Sequence, residues 1–129
     1  MEKLYSVFFS PTDTTRGVLD FLAAGMQKAA EDVDLTSYQN KDLQKDFTAE
    51  DTVLIGVPSY AGRVPETFAQ RFKENIKGNN TPAVIVITFG NRAYEDTLIE
   101  LKDLAQANGF NVIAAAAVVT QHSIVPQFG

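Results

Sequence analysis

Five apolar segments divide the sequence: Leu4–Phe9, Val33–Ser37, Thr52–Val57, Ala83–Phe89 and Asn111–Val119. Each is rich in β-branched or aromatic residues and is bounded by Pro, Gly, Asp or Asn, as strands are. Most run continuously apolar, as in Val53-Leu54-Ile55-Gly56-Val57 and Ala83-Val84-Ile85-Val86-Ile87. An unbroken apolar run of this length is expected of a strand covered by helices on both faces. Between these segments Val18, Leu19, Leu22, Ala23 and Met26 recur at helical spacing, as do Val64, Phe68 and Phe72, and then Leu98, Leu101, Leu104 and Ala105. Asn108-Gly109 supplies a C-terminal stop for the last of these helices. The stretch Lys41–Phe47 reads as one short helix or as a loop. The alternation predicts an α/β fold, a doubly wound five-stranded parallel sheet with right-handed crossovers. At 129 residues the chain suffices for one domain and is too short for two.

In sheets of this kind ligands bind beyond the carboxyl ends of the strands, where strand order reverses. Three segments are expected there. After the first strand comes Ser10-Pro11-Thr12-Asp13-Thr14-Thr15, directly ahead of a helix. Strand, hydroxyl-rich loop and helix form a phosphate site: loop N–H groups and hydroxyls surround an oxyanion, and the helix end adds unpaired donors and the positive end of its dipole. After the third strand, Pro58-Ser59-Tyr60-Ala61-Gly62 places an aromatic ring on a short loop. After the fourth, Phe89-Gly90-Asn91-Arg92-Ala93-Tyr94 does the same at a helix start. Two tyrosines from adjacent loops can sandwich a planar heterocycle, each adding about 1 kcal/mol beyond area burial. Gly62 can take positive φ and bring a backbone group close to the ring edge, while Gly90 and Asn91 can offer main-chain N–H groups to the other edge.

Charge and composition exclude several classes. The net charge of −5 leaves no basic stripe for a nucleic-acid backbone, so no nucleic-acid partner is expected. The absence of cysteine excludes disulfides, thiolate nucleophiles and cysteine-ligated metal centres within the chain, so any redox chemistry must come from a bound group. A single histidine, His122, makes no metal site. Met1-Glu2-Lys3-Leu4 does not resemble a signal peptide, and no apolar run approaches the roughly 18 residues of a membrane helix. A cytoplasmic protein with no membrane contact is expected. After the fifth strand, Thr120–Gly129 has no pattern for the helix that would cover the first-helix side of strands three to five. This chain is therefore expected to leave an apolar face without cover of its own, either because it is truncated at the C-terminus, which is favoured, or because a homo-oligomer supplies the cover.

These segments resemble the flavodoxins, most closely the flavodoxin-like domain of the ferredoxin–flavodoxin fusion proteins of anaerobic bacteria. The hydroxyl loop is similar to the family's phosphate loop, Ser/Thr-x-Thr-Gly-Asn-Thr. Gly56-Val57-Pro58-Ser59-Tyr60-Ala61-Gly62-Arg63-Val64-Pro65 resembles the fusion-type loop with a stacking aromatic, Thr88-Phe89-Gly90-Asn91-Arg92-Ala93-Tyr94-Glu95-Asp96 the second flavin loop, and His122-Ser123 the segment after the fifth strand. The resemblance implies strand order 2-1-3-4-5 and an FMN cofactor, its phosphate held by Ser10, Thr12, Thr14 and Thr15. By the same resemblance Tyr60 and Tyr94 flank the isoalloxazine, with Gly62 and Gly90 at its edges and Glu95 and Asp96 on an acidic rim. Asp13 departs from the pattern by standing where the family has glycine. A carboxylate beside a phosphate costs on the order of 1 kcal/mol through solvent unless Asp13 points outward and caps the helix. Arg16 is placed to offset it.

The function implied is electron transfer between protein partners, one of them an iron–sulfur, ferredoxin-type domain. An electron carrier is favoured over a stand-alone oxidoreductase. The alternatives are an NAD(P)H-dependent flavin or quinone reductase, against which two covering tyrosines argue, and a non-redox module for another phosphate ligand, for which Asp13 argues.

Overall fold

The computed structural model describes residues 3–90 and 94–120. Its main sheet holds the strands β1 (Leu4–Phe8), β2 (Ala30–Asp34), β4 (Thr52–Pro58), β6 (Thr81–Phe89) and β7 (Phe110–Val119). They lie in the order β2-β1-β4-β6-β7, every pair parallel. Counting main-sheet strands alone, this is 2-1-3-4-5, the doubly wound α/β order. Two further short strands, β3 (Lys45–Asp46) and β5 (Ile76–Lys77), pair with each other apart from the sheet. Three α-helices accompany them among the described residues: α1 (Thr14–Gly25), α2 (Glu66–Asn75) and α3 (Glu95–Ala107).

Helices cover the two sheet faces unequally. On one face α2 and α3 lay Phe68, Phe72, Leu101 and Ala105 over Val7, Val53, Ile55, Ile85 and Ile87, all buried. The spacing of those helix residues, four apart, is what turns one stripe of each helix toward the sheet. On the other face, among the described residues, α1 alone packs, through Leu19 and Ala23, against Leu4, Phe8, Leu54 and Val86. Gly56 makes this approach close, because a Cβ there would stand 2.9 Å from Leu19 Cδ1. Along β7 the cover runs out: Ala114 and Ala115 are exposed, and Ile113 and Val119 keep more than half their surface in solvent, at 57% and 53%. β7 is the last element described, and the expected absence of a helix over this face concerns residues beyond Thr120, which lie outside the description.

Two elements differ from the sequence expectation. β2 is Ala30–Asp34, where the apolar pattern pointed to Val33–Ser37. As an edge strand it exposes Glu31 and Asp32, so its outer residues are acidic and carry no apolar signal. Leu35 still donates its N–H to the Phe8 carbonyl at 2.8 Å, but Thr36 then turns, its N–H held by Asp34 Oδ1 at 2.8 Å. The stretch Lys41–Phe47 is neither helix nor plain loop. A single 3-10 turn at Tyr38–Asn40 precedes β3, whose partner β5 lies thirty residues on in sequence and leaves no local trace.

Candidate functional site

Strand order reverses between β1 and β4, and a cleft of about 460 Å³ opens beyond their carboxyl ends. Pro11, Thr12, Thr14 and Thr15 line it from the loop and first turn of α1, and Pro58, Ser59 and Tyr60 from the end of β4. Thr88, Phe89 and Gly90 line it from β6, and Thr120 from the end of β7. Its volume falls in the range of small-molecule sites, roughly 300–1,000 Å³. No charged side chain lines it among the described residues.

The hydroxyl loop is built as a cradle with a fixed back and a free front. Ser10, 6% exposed, is tied into the scaffold: its N–H donates to Thr36 Oγ1 at 2.7 Å and its Oγ accepts from Arg16 N–H at 3.1 Å. Ser10 is thus the side-chain cap of α1 and does not line the cleft. Thr15 is buried and shares a 2.8 Å hydrogen bond with Thr88 Oγ1. Thr12 and Thr14 stand toward solvent with their hydroxyls 3.2 Å apart. Among the described residues the amides of Thr12, Thr14 and Thr15 have no acceptor, which is the usual state of a helix start and the basis of its affinity for anions.

Asp13 sits at the N-cap position but does not cap, since its side chain makes no cap hydrogen bond; its carbonyl takes the Gly17 N–H at 3.0 Å. Its backbone is left-handed, with φ 65° and ψ 3°. That conformation explains why glycine suits this position and why Asp, which tolerates it better than most residues, can replace glycine here. Its carboxylate is exposed and outside the cleft lining. Arg16 does not offset it, pairing instead with Asp32 at 2.7 Å with its guanidinium over the Phe8 ring.

The loop after β4 turns tightly. Tyr60 and Arg63 exchange both backbone hydrogen bonds, at 2.9 and 2.8 Å, around Ala61 at φ 50° and Gly62 at φ 79°. Gly62 thus has the positive φ expected of it, although neither it nor Ala61 lines the cleft. Tyr60 does, with 47% of its surface exposed and its ring edge-on to Phe9 at 6.1 Å. The turn is anchored to α3: Arg63 donates two hydrogen bonds to Glu100, at 2.9 and 3.0 Å, and Val64 N–H a third at 2.9 Å. The Arg63 hydrogen bonds, with the Val64 amide, hold the Glu100 carboxyl below its usual range against the opposing effect of burial. Ser59, inside the turn, bonds Thr97 Oγ1 at 2.7 Å and gives its N–H to the Thr88 carbonyl at 2.8 Å.

Tyr94 is placed otherwise than the sandwich requires. It stacks on Phe89, with ring centroids 4.4 Å apart and planes 27° apart, and packs against the α2/α3 core. Phe89 lines the cleft and Tyr94 does not, because the N-terminus of α3 carries the phenol behind Phe89. Asn91 and His122 lie outside the described residues. Pro11, Thr88 and Thr120 line the cleft although none of them is assigned a role from the sequence, Pro11 and Thr88 standing only within the loop segments named above. Thr88 had a signal, as a lone hydroxyl at the end of the apolar run Ala83–Ile87, and Thr120 had only its place after β7. Among the described residues there is no group of three metal-ligating side chains and no helix long and apolar enough to cross a membrane.

No family model and no curated protein matches the sequence. Solved structures do match in shape. The two-electron reduced flavodoxin of Megasphaera elsdenii superposes with a TM-score of 0.68 at 16% identity, over 92% of this chain and 88% of that one. A flavoprotein of Lactobacillus acidophilus in complex with FMN superposes with a TM-score of 0.61 at 16% identity, over 91% of this chain and 93% of that one. The chain therefore has the flavodoxin-like fold.

Proposed function

We propose that this protein binds FMN in the cleft and serves as a flavodoxin-like electron carrier of the kind found in ferredoxin–flavodoxin fusion proteins. The observation that carries the reading is the meeting, in one cleft, of an anion-binding helix start with unpaired amides and two aromatic-bearing strand ends. The donor set fits a phosphomonoester: the hydroxyls of Thr12 and Thr14 and the free amides face a volume large enough for a small planar ligand. The two structural relatives named above, one of them a complex with FMN, agree with this choice of ligand.

The residues divide the work. Thr12, Thr14 and the first-turn amides of α1 hold the phosphate by neutral donors, so binding does not draw on a cation. Tyr60, braced by Phe9, supplies an apolar wall for the ring system, and Phe89 with Tyr94 stacked behind it supplies another. The Gly90 backbone borders the ring edge. A bound flavin supplies the electron transfer itself. The given sequence has no cysteine for an iron–sulfur centre, and the electrons are proposed to pass to and from redox protein partners, among them an iron–sulfur domain on the same or another chain. The protein is read as acting in the cytoplasm.

One observation favours a second reading, an NAD(P)H-dependent flavin or quinone reductase. With Tyr94 behind Phe89, one of the two phenols expected to cover the ring does not reach the cleft. Titration of the protein with FMN, followed by stepwise reduction under a spectrometer, tests the main reading. Saturable micromolar binding with reversible bleaching supports it, and failure to bind FMN at micromolar concentration overturns it. Rapid NAD(P)H oxidation with a quinone acceptor would transfer support to the reductase.

A further inference from the structure

We propose that Thr88 is a positioning residue for the anion cradle: its hydroxyl donates to Thr15 Oγ1, so that the one Thr15 proton is directed at a phosphoryl oxygen of the ligand. This deepens the FMN reading and rests on it. Thr15 and Thr88 stand 73 residues apart in sequence, yet their hydroxyl oxygens are 2.8 Å apart, both residues line the cleft, and they are only 1% and 2% exposed. Two hydroxyls carry two protons, and their mutual hydrogen bond uses one. Among the described residues neither hydroxyl has another hydrogen-bond partner, so one proton remains unspent at the wall of the cleft. A buried donor without an acceptor is unfavourable, and a ligand that accepts there relieves it.

The position of each residue fixes the direction of the chain. Thr15 belongs to the first turn of α1, beside Thr12, Thr14 and the open amides, where the phosphate of the proposed ligand would sit. Thr88 lies in β6, and its backbone is held by the Ser59 N–H, so it is the rigid end of the pair. Either hydroxyl can donate in the ligand-free protein. A phosphoryl oxygen only accepts, so beside Thr15 it selects one polarity, Thr88 to Thr15 to phosphate. Accepting from Thr88 polarises the Thr15 hydroxyl and strengthens its own donation. The effect has weight in this cleft because no cation lines it among the described residues, and neutral donors must hold the charge.

The test compares FMN with riboflavin, which has the same ring and no phosphate. Dissociation constants for both are measured by flavin-fluorescence titration on the wild type, Thr88→Val and Thr88→Ser, with the ligand-free melting temperature of each. Thr88→Val keeps the shape and removes the hydroxyl. It is expected to weaken FMN about tenfold and riboflavin less than about twofold, while Thr88→Ser keeps FMN within about twofold of the wild type. Thr88→Ala against Thr88→Ser, which differ by the hydroxyl alone, gives the same contrast if the valine variant is unstable. Wild-type FMN binding with no change in the FMN-to-riboflavin ratio in the valine or alanine variant overturns the role of Thr88 and leaves the function standing. A wild type that binds neither flavin overturns both.

Discussion

At the scale of single residues the cradle depends on backbone conformation as much as on side-chain chemistry. Asp13 holds φ 65° in the turn that starts α1, a conformation that is costly for residues with a Cβ. Its carboxylate makes no cap hydrogen bond that would compensate. Asp13→Gly is therefore expected to raise stability by about 0.5–1 kcal/mol, read by urea unfolding. It also removes an anion beside the loop proposed to hold the phosphate, so FMN affinity is expected to rise a few-fold. Unchanged unfolding midpoints would mean that Asp13 is held by contacts other than its own backbone. The four hydroxyls of the loop, equal in the sequence, are unequal in the fold. Ser10 caps, Thr15 reaches across to β6, and Thr12 and Thr14 alone face outward.

At the scale of elements the turn after β4 owes its position to α3. Glu100 gathers three hydrogen bonds from Arg63 and Val64, and so fixes the turn that presents Tyr60. Its pKa is lowered in the fold, chiefly by the Arg63 hydrogen bonds. A lowered carboxyl stabilises the fold above its unfolded value, near 4.5, and the contribution is lost as pH falls through the lower folded value. Glu100→Gln is expected to lose about 1 kcal/mol at pH 7, mainly through the weakened bond from Val64 N–H, because the Arg63 side chain is 72% exposed and its pairing is screened by solvent. The gap to the wild type should close below pH 4.5, as followed by thermal melts across pH. A gap that stays constant into acid would show that the charge of Glu100 contributes nothing. At the opposite corner, Arg71 of α2 gives Nη1 hydrogen bonds to the carbonyls of Leu35 and Ser37, at 2.9 and 2.8 Å. These tie down the turn from which Thr36 holds Ser10.

At the scale of the molecule the cleft is a consequence of topology. Reversal of strand order between β1 and β4 parts the loops that follow them, and the space so opened is where Thr12, Tyr60 and Phe89 meet. A ligand held where these loops converge would bind the folded chain alone. FMN at a hundred times its dissociation constant is expected to add about 2.7 kcal/mol of stability, a rise in melting temperature of roughly 10 °C for a chain of this size. Riboflavin at the same concentration should add less. Equal shifts from both flavins would mean that the hydroxyl loop takes no part in binding.

Much of this was open to reading in the sequence, and the reason is local. Continuous apolar runs fix buried parallel strands, four-residue spacing fixes which helix face is covered, and a hydroxyl loop between strand and helix falls at the cleft, all within a few residues of chain. β2 was misplaced because an edge strand shows acids to solvent, and β3 and β5 were missed because two-residue strands are defined only by a distant partner. The site divides in the same way. The loops that line it were legible from their residue types. That Phe89 rather than Tyr94 lines the cleft, that Thr88 bonds Thr15, and that Asp13 is left-handed and uncapped were decided by the tertiary structure. Each depends on how segments far apart in sequence pack together, and hydrogen-bond pairing and ring stacking between such segments have no periodicity for a sequence to display.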